Sequence, residues 1–248
     1  MIMITKLLTI LILLIPLSGY SQPITAQSWI VTNGEGAIIE GKNHSEVRSI
    51  ASITKLMSAM VVIDADQDME QKIGKFTRAQ HIQMSLVGSN NDSAILLCDN
   101  YPGGKSKCVR DMNFKAMTLG MTNTKFVEAS GLSPMNISTA EDLVKLVLAA
   151  SNYDKIQLAS QTPLIQIKIQ KKWFFFKNTN PIIGQRHTFI VSKTGYTTPA
   201  GGCIVMMLDT EVGKRIVVVL GSKNTRTRIP EAEFIATYDY QHTYNVVN

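Results

Sequence analysis

The sequence predicts an α+β protein: a five-stranded antiparallel sheet contributed by both ends of the chain and covered by helices from its middle. Three observations carry this. Runs rich in β-branched residues and bounded by turn residues lie near the two ends of the chain. The stretch between them shows helical spacing, with cap and stop residues in place. Each terminal run is also too apolar to face water on both sides, so the two groups are expected to share one sheet.

The elements follow in chain order. "MIMITKLLTILILLIPLSGYSQ" has Lys6 as its charge, an apolar run from Leu7 to Leu17 and small residues after it, the layout of a secretory signal over residues 1–21 with removal after Ser21. That run is shorter than the about 20 residues needed to span a bilayer, so no stable membrane anchor is expected after cleavage; retention as an anchor through residues 1–17 is the alternative. Residues 22–248 then form one exported domain. "SWIVT" and "GAIIEG", joined by Asn33-Gly34-Glu35, read as a hairpin. A helix starts at "ASITKLMSAMVVI", and two more are expected over Ser93 to Asn100 and Val109 to Leu119, the last stopped by Gly120. Cys98 and Cys108 flank a Pro-Gly-Gly turn and either form a local disulfide, as an oxidising exterior favours, or remain buried thiols; Cys203 reads as core. From Thr139 to Ser151 the pattern is helical, with Ser138 as cap and Glu141 closing a capping box. "LIQIKIQ" and "KWFFFK" are short strands; "HTFIVSKTGY", "GGCIVMMLD" and "KRIVVVLGS" form a meander, and "PEAEFIATYDYQ" closes the chain as a helix. The helices around residues 65–160 make a subdomain.

Several functions lack support in this pattern. The net charge of +6 is spread along the chain, and no nucleic-acid reading motif is present. "DADQDMEQKIGK" has acids at calcium-loop spacing but Met69 where glycine is needed and Lys75 where a bidentate Glu belongs, and the four histidines are scattered, so neither a metal nor a cofactor is expected. "KKWFFFK" mixes bases with aromatics and could serve a membrane or nucleic acid, but reads better as a strand beside the sheet.

Chemistry concentrates at Ser52 and Lys55. Three residues apart on a helix, they share a face, and Ser52 stands in the first turn, where unpaired N–H groups favour a developing oxyanion. Lys55 is surrounded by Leu56, Met57, Met60 and Val61; an ammonium buried there loses affinity for its proton and becomes a base for the serine. Alone, the pair reads better as a helix serine beside a lysine that snorkels to solvent. Two further stretches change that balance. Ser89-Asn90-Asn91 precedes a helix and Lys193-Thr194-Gly195 ends a strand, completing the ordered set Ser-x-x-Lys, Ser-x-Asn, Lys-Thr-Gly of penicillin-recognising serine enzymes.

"IASITKLMSAMVVIDA", "MNFKAMTLGMTNTKFVEASGLSPMNISTAEDLVKLV", "NTNPII" and "KTGYTTPAGGCIV" resemble the D-alanyl-D-alanine carboxypeptidase and endopeptidase family, the low-molecular-weight penicillin-binding proteins, over nearly all of residues 28–240. The nearest resemblance is to the D,D-endopeptidase branch, because the chain ends soon after the last helix, without the β-rich second domain and amphipathic tail of the carboxypeptidase branch. The resemblance implies a penicillin-binding protein/β-lactamase-like fold. It implies Ser52 as nucleophile, Lys55 as its base and Ser89 as proton relay to the leaving amine. Asn91 would hold the substrate amide, Lys193 would support Ser89 with positive potential, and Thr194 would bind a carboxylate. The strand after Gly195 would align the peptide, with the amides of Tyr196 and Ser52 as the oxyanion hole. Gly195 would spare the substrate a side chain. Implied partners are peptidoglycan peptides as substrates and β-lactams as acylating inhibitors, in the periplasm or cell envelope. Ser89 follows Ser52 by 37 residues, fewer than the family pattern suggests, so a widened cleft or displaced Ser89 and Asn91 are expected consequences. Alternatives are a D,D-carboxypeptidase, a β-lactamase using Glu128 as deacylating carboxylate, or an inactive wall-binding module.

Overall fold

The computed structural model describes residues 24–240. The expected signal segment, residues 1–21, lies outside the described residues. In chain order the elements are β1 (Ser28–Asn33), β2 (Ile38–Lys42), β3 (Arg48–Ser49), a 3-10 turn (Ala51–Ile53) and α1 (Thr54–Asp64). Next come β4 (Lys72–Ile73), β5 (Phe76–Thr77), α2 (Arg78–Leu86), α3 (Asn91–Asp99), α4 (Gly104–Thr118) and β6 (Ile137–Ser138). The chain continues with α5 (Ala140–Ala150), α6 (Asp154–Gln161), β7 (Leu164–Ile169), β8 (Lys172–Lys177), β9 (Thr188–Thr197), β10 (Gly201–Thr210), β11 (Gly213–Ser222) and α7 (Arg228–Thr237). The main sheet has five antiparallel strands in the order β2-β1-β11-β10-β9, as the terminal runs predict.

The apolar strands are buried on both faces. Ile30, Val205, Val218 and Leu220 face a core closed by α1 and α5, while Val31, Ile204, Val217 and Val219 face a second core closed by α7. Successive strand side chains point to opposite faces, so a sheet covered on both sides requires near-continuous apolar runs such as "IVVVL". Each fully buried valine or leucine contributes roughly 1.5–3 kcal/mol.

Two local expectations, the cap of α5 and the start of α4, are corrected, and α2 and α6 are helices that the sequence reading does not name. Residues 78–86 form α2, whose Thr77 cap and Gln80 make a reciprocal capping box. Ile82, Met84 and Leu86 are spaced by two, which disguises a helix as a strand. The cap of α5 is Thr139, which accepts from the Asp142 amide at 3.1 Å, and not Ser138. Ser138 Oγ is engaged by Thr124 Oγ1 at 2.7 Å, and the Glu141 carboxylate by His44 Nδ1 at 2.6 Å, so no box forms there. α4 begins at Gly104, five residues before the expected Val109, after Gly103 adopts φ +85°. The pair β7 and β8 forms its own two-stranded sheet outside the five strands of the main one, as the sequence reading expects. Ser160 Oγ on α6 takes the Ser192 amide of β9 at 2.9 Å.

Among the two cysteine alternatives, the disulfide Cys98–Cys108 is formed, tying α3 to α4, while Cys203 is free and buried. Closing a loop of this length removes entropy from the unfolded chain. Cys98→Ala/Cys108→Ala is therefore expected to lower unfolding free energy by about 2–3 kcal/mol, read as an earlier urea midpoint.

Candidate active site

Ser52 sits on a backbone that is strained and closely held. Ala51, just before it, takes φ +46°, an uncommon region for a residue with a Cβ, and persists there because its surroundings leave no alternative. The Thr54 hydroxyl donates to Ala51 O at 2.8 Å, and the Ile50 amide donates to Asn136 O at 3.1 Å. Two glycines hold the Ser52 amide between them. A Cβ on Gly131 would lie 2.0 Å from Ala51 O and 2.7 Å from Ser52 N; one on Gly195 would lie 2.9 Å from Ser52 N and 3.0 Å from Ile50 O. Gly195 thus has a different reason from the one expected. Its missing side chain admits the Ser52 turn against strand β9, before any substrate arrives.

Lys55 is completely buried on the first turn of α1. Its ammonium donates to Ser52 Oγ at 2.8 Å and to Asn91 Oδ1 at 2.8 Å, and also to the Ser130 carbonyl. The Ser52 hydroxyl has a second, longer contact to the same carbonyl at 3.5 Å. Every acceptor is neutral. Burial lowers the Lys55 pKa to about 8, opposed by the more distant charge of Glu128. A neutral amine in this position keeps two N–H donors for Asn91 and Ser130 and turns its lone pair toward the Ser52 hydroxyl.

The other two motifs meet the first. Asn90 caps α3 by accepting from the Ser93 amide at 2.8 Å, which leaves Asn91 in the first turn facing Lys55. Ser89 takes φ +54° and accepts a hydrogen bond from Lys193 Nζ at 2.9 Å. Lys193 is itself buried and donates to the Thr194 carbonyl at 2.9 Å. Burial, reinforced by Lys55 and Arg228, pushes its pKa well below the usual lysine value. Thr194 Oγ1 donates to Thr179 Oγ1 at 2.6 Å. Tyr196 follows on β9, half exposed and paired with Gly202. The short Ser52 to Ser89 interval therefore does not scatter the motifs. Buried Arg78 closes it by binding Asp68 O at 2.5 Å and Gln71 Oε1 at 2.8 Å, which holds the segment before α2 against the body.

Three residues that motif reading passed over, and Glu128, which it weighed in another role, complete the site. Arg228 Nη1 donates to Gly195 O at 2.6 Å, fixing β9 from the α7 side, and Thr179 holds the Thr194 hydroxyl. Asn136, fully buried, donates to Thr54 Oγ1 at 3.1 Å and accepts from the Val127 amide at 2.7 Å. Glu128 builds the loop that carries Ser130. Its carboxylate accepts from Ser130 N at 2.7 Å, Ser130 Oγ at 2.5 Å, Gly131 N at 2.6 Å and Asn136 Nδ2 at 2.8 Å. A carboxylate so engaged ties its own loop together and is poorly placed to activate water over Ser52, which weighs against a β-lactamase. The one legible signal was the Asn-Thr-Lys-Phe to Ser-Gly-Leu stretch, which marks the loop but not its bonds.

The profile of a family described as D-alanyl-D-alanine carboxypeptidase matches the chain over residues 17–85 and 66–224. A D-alanyl-D-alanine endopeptidase of Pseudomonas aeruginosa is 34% identical over 235 residues, covering 85% of this chain and 76% of that protein. An Escherichia coli K12 D-alanyl-D-alanine endopeptidase is 33% identical over 243 residues, covering 88% and 78%. Among solved structures, penicillin-binding protein D2 of Listeria monocytogenes in its ampicillin-bound form aligns with a TM-score of 0.76 at 25% identity, covering 86% of this chain and 97% of that one. A mutant of the Streptomyces K15 DD-transpeptidase aligns with a TM-score of 0.78 at 25% identity, covering 86% and 97%.

The glycine sandwich is directly testable. Gly131 has φ +84° and backbone atoms where a Cβ would go, so Gly131→Ala cannot be absorbed by a side-chain rotation. It is expected to cost about 2–4 kcal/mol of stability, measured by urea unfolding; a loss below 0.5 kcal/mol, about the level of an ordinary surface change, would show that the Ser52 turn is not held in this way.

Proposed function

The chain belongs to the D-alanyl-D-alanine carboxypeptidase family of serine peptidases, and on that premise we propose that it is a D,D-endopeptidase that opens peptidoglycan cross-links through an acyl-enzyme on Ser52. The observation that carries the reading is the buried contact of Lys55 Nζ with Ser52 Oγ at 2.8 Å, with Asn91 and the Ser130 carbonyl as the remaining partners of the amine. The preference for cross-links over chain ends rests on the two endopeptidases that are 34% and 33% identical to this chain over their aligned lengths.

In this mechanism neutral Lys55 removes the Ser52 proton as Oγ attacks the carbonyl carbon of a D-alanyl residue. The tetrahedral oxyanion is met by the amides of Ser52 and Tyr196. Collapse breaks the C–N bond. Ser89 passes a proton to the departing amine, drawing on its link to Lys193, and water then cleaves the ester, returning Ser52 to its hydroxyl form. Asn91 both orients Lys55 and offers its amide N–H group to the substrate, and Gly195 to Tyr196 align the peptide along the edge strand β9. A carboxylate on the leaving side fits beside Thr194 and Lys193. β-Lactams, which the Listeria protein of known structure binds, would acylate the same serine. We place the enzyme in the cell envelope, periplasmic where there is an outer membrane, on the strength of the leader pattern at residues 1–21; the catalytic domain is the remainder, 22–248.

Two predictions follow from the two lysines. The base form of Lys55 grows with pH, so acylation of Ser52 by a labelled penicillin is expected to accelerate as pH rises from 6 to 9, with half of the rise near the Lys55 pKa of about 8. Lys55→Ala is expected to slow it by about 10²–10⁴-fold, and a flat profile over that range would remove Lys55 as the base. An anionic carboxylate beside Lys193 should raise its depressed pKa, so binding of a D-alanyl-D-alanine peptide is expected to take up protons, a fraction per site that is largest at a pH between the free and bound values. Isothermal titration in buffers of different ionisation enthalpy reads that number, and Lys193→Met should bring it close to zero.

A further inference from the structure

The hairpin of β7 and β8 has two faces, and the fold accounts for one. On the inner face Phe174 packs edge-on to Phe76 with centroids 5.2 Å apart, and Phe176 lies over Gly88, where an added Cβ would come within 3.1 Å of it. On the outer face Trp173 is 52% and Phe175 60% exposed. Their rings stack on each other, with centroids 6.4 Å apart and planes at 26°, and the Lys168 ammonium lies 5.6 Å from the centre of the Trp173 ring. Gln166 pairs with Phe175, and Leu164 with Lys177, in the same register. Burial does not explain two large rings held side by side in water.

Position and charge indicate what covers them. Lys177 leads directly into Asn178 and Thr179, and Thr179 holds the hydroxyl of Thr194 in the site. The strip of rings therefore begins at the rim of the catalytic cleft, with Phe175 and Trp173 about 7 and 13 Å along the strand from Lys177. No Asp or Glu occurs between Asp154 and Asp209, whereas Lys168, Lys171, Lys172 and Lys177 are all exposed on the hairpin. The surface thus offers flat π faces, which attract the C–H faces of sugar rings, beside cations and an amide that suit carboxylates and hydroxyls.

We propose that the outer face of this hairpin docks the glycan strand of peptidoglycan, holding the polymer while the stem peptide enters the cleft. The assignment rests on the peptidase reading above for the choice of polymer. The two rings follow one another along a strand that leads from the Thr179 segment of the cleft, as an elongated chain requires.

The test compares the full-length protein with Trp173→Ala/Phe175→Ala, whose exposed positions leave the cores intact. Retention on purified sacculi, read by sedimentation without turnover, is expected to fall about tenfold in the variant, as two lost stacking contacts would cause. Penicillin labelling and cleavage of a small cross-linked peptide lacking sugars should stay within about twofold of the parent, confirming an intact site. Lys168→Gln/Lys177→Gln should weaken retention mainly at low salt. Equal retention of parent and aromatic variant on sacculi overturns the proposal. So does a loss confined to phosphatidylglycerol vesicles, which would assign the face to a membrane. A parent that neither labels nor cleaves would sink the peptidase reading instead, and the retention measurement would still decide whether the hairpin holds the polymer.

Discussion

The site depends on keeping an amine out of water without giving it a carboxylate. Lys55 has no exposed surface, and its partners are a hydroxyl, an amide oxygen and a main-chain carbonyl. A carboxylate in any of those places would hold the proton on nitrogen, and the proposed mechanism would then have no base for Ser52. Neutral oxygens accept from the amine in either protonation state, so the pocket remains satisfied when the proton is gone. This arrangement explains why Glu128 stands one step back. Its charge bears on Lys55 from a distance, while its oxygens are spent on Ser130, Gly131 and Asn136. The carboxylate shapes the carbonyl that Lys55 sees and does not touch the amine itself.

Keeping the amine dry also dictates local backbone. The Ser52 turn has to approach both the Glu128 loop and strand β9, and glycine is found on each side, at 131 and 195. Non-glycine residues accept positive φ at Ala51 and Ser89, which costs of order 1–3 kcal/mol each and survives only where the surroundings over-determine it. Both positions lie in the turns that present the reactive groups. The doubly covered sheet supplies the rigidity that sustains them, since β9 is fixed by β10 on one side and by Arg228 through the Gly195 carbonyl.

What the sequence disclosed follows sequence distance. Ser52 and Lys55 are legible because three residues on a helix always share a face, and the three apolar runs near the C-terminus because a sheet buried on both sides needs unbroken hydrophobic strands. The Lys193 to Ser89 contact spans 104 positions, and the one from Arg228 to Gly195 spans 33; no local periodicity reports either. Glu128 was visible as a residue, but its work is done through hydrogen bonds to its own loop, which only folding creates. α2 was missed because its apolar residues alternate, and the α5 cap was misplaced by one because Ser138 and Glu141 had been claimed by Thr124 and His44 from distant segments. Tertiary partners overrode local propensity in each case.

The two buried lysines are more than a repeated device. Lys55 and Arg228 add to burial in lowering the affinity of Lys193 for protons, whereas Lys55 is lowered by burial alone and feels the opposing charge of Glu128 from a distance. In the proposed mechanism Lys55 has to stay neutral to act as a base, whereas Lys193 serves a leaving amine only with a proton available behind Ser89. A substrate carboxylate arriving beside Thr194 lies near Lys193 and farther from Lys55, because Lys193 shares its strand with Thr194 while Lys55 is held on α1 behind Ser52. Coulomb attraction falls with distance, so the anion favours protonation of Lys193 more than of Lys55. The ligand itself would thereby separate two similar amines into an acid reservoir and a base. A peptide without that carboxylate would leave both depressed and find a cleft with a base but no ready proton for the amine it must expel.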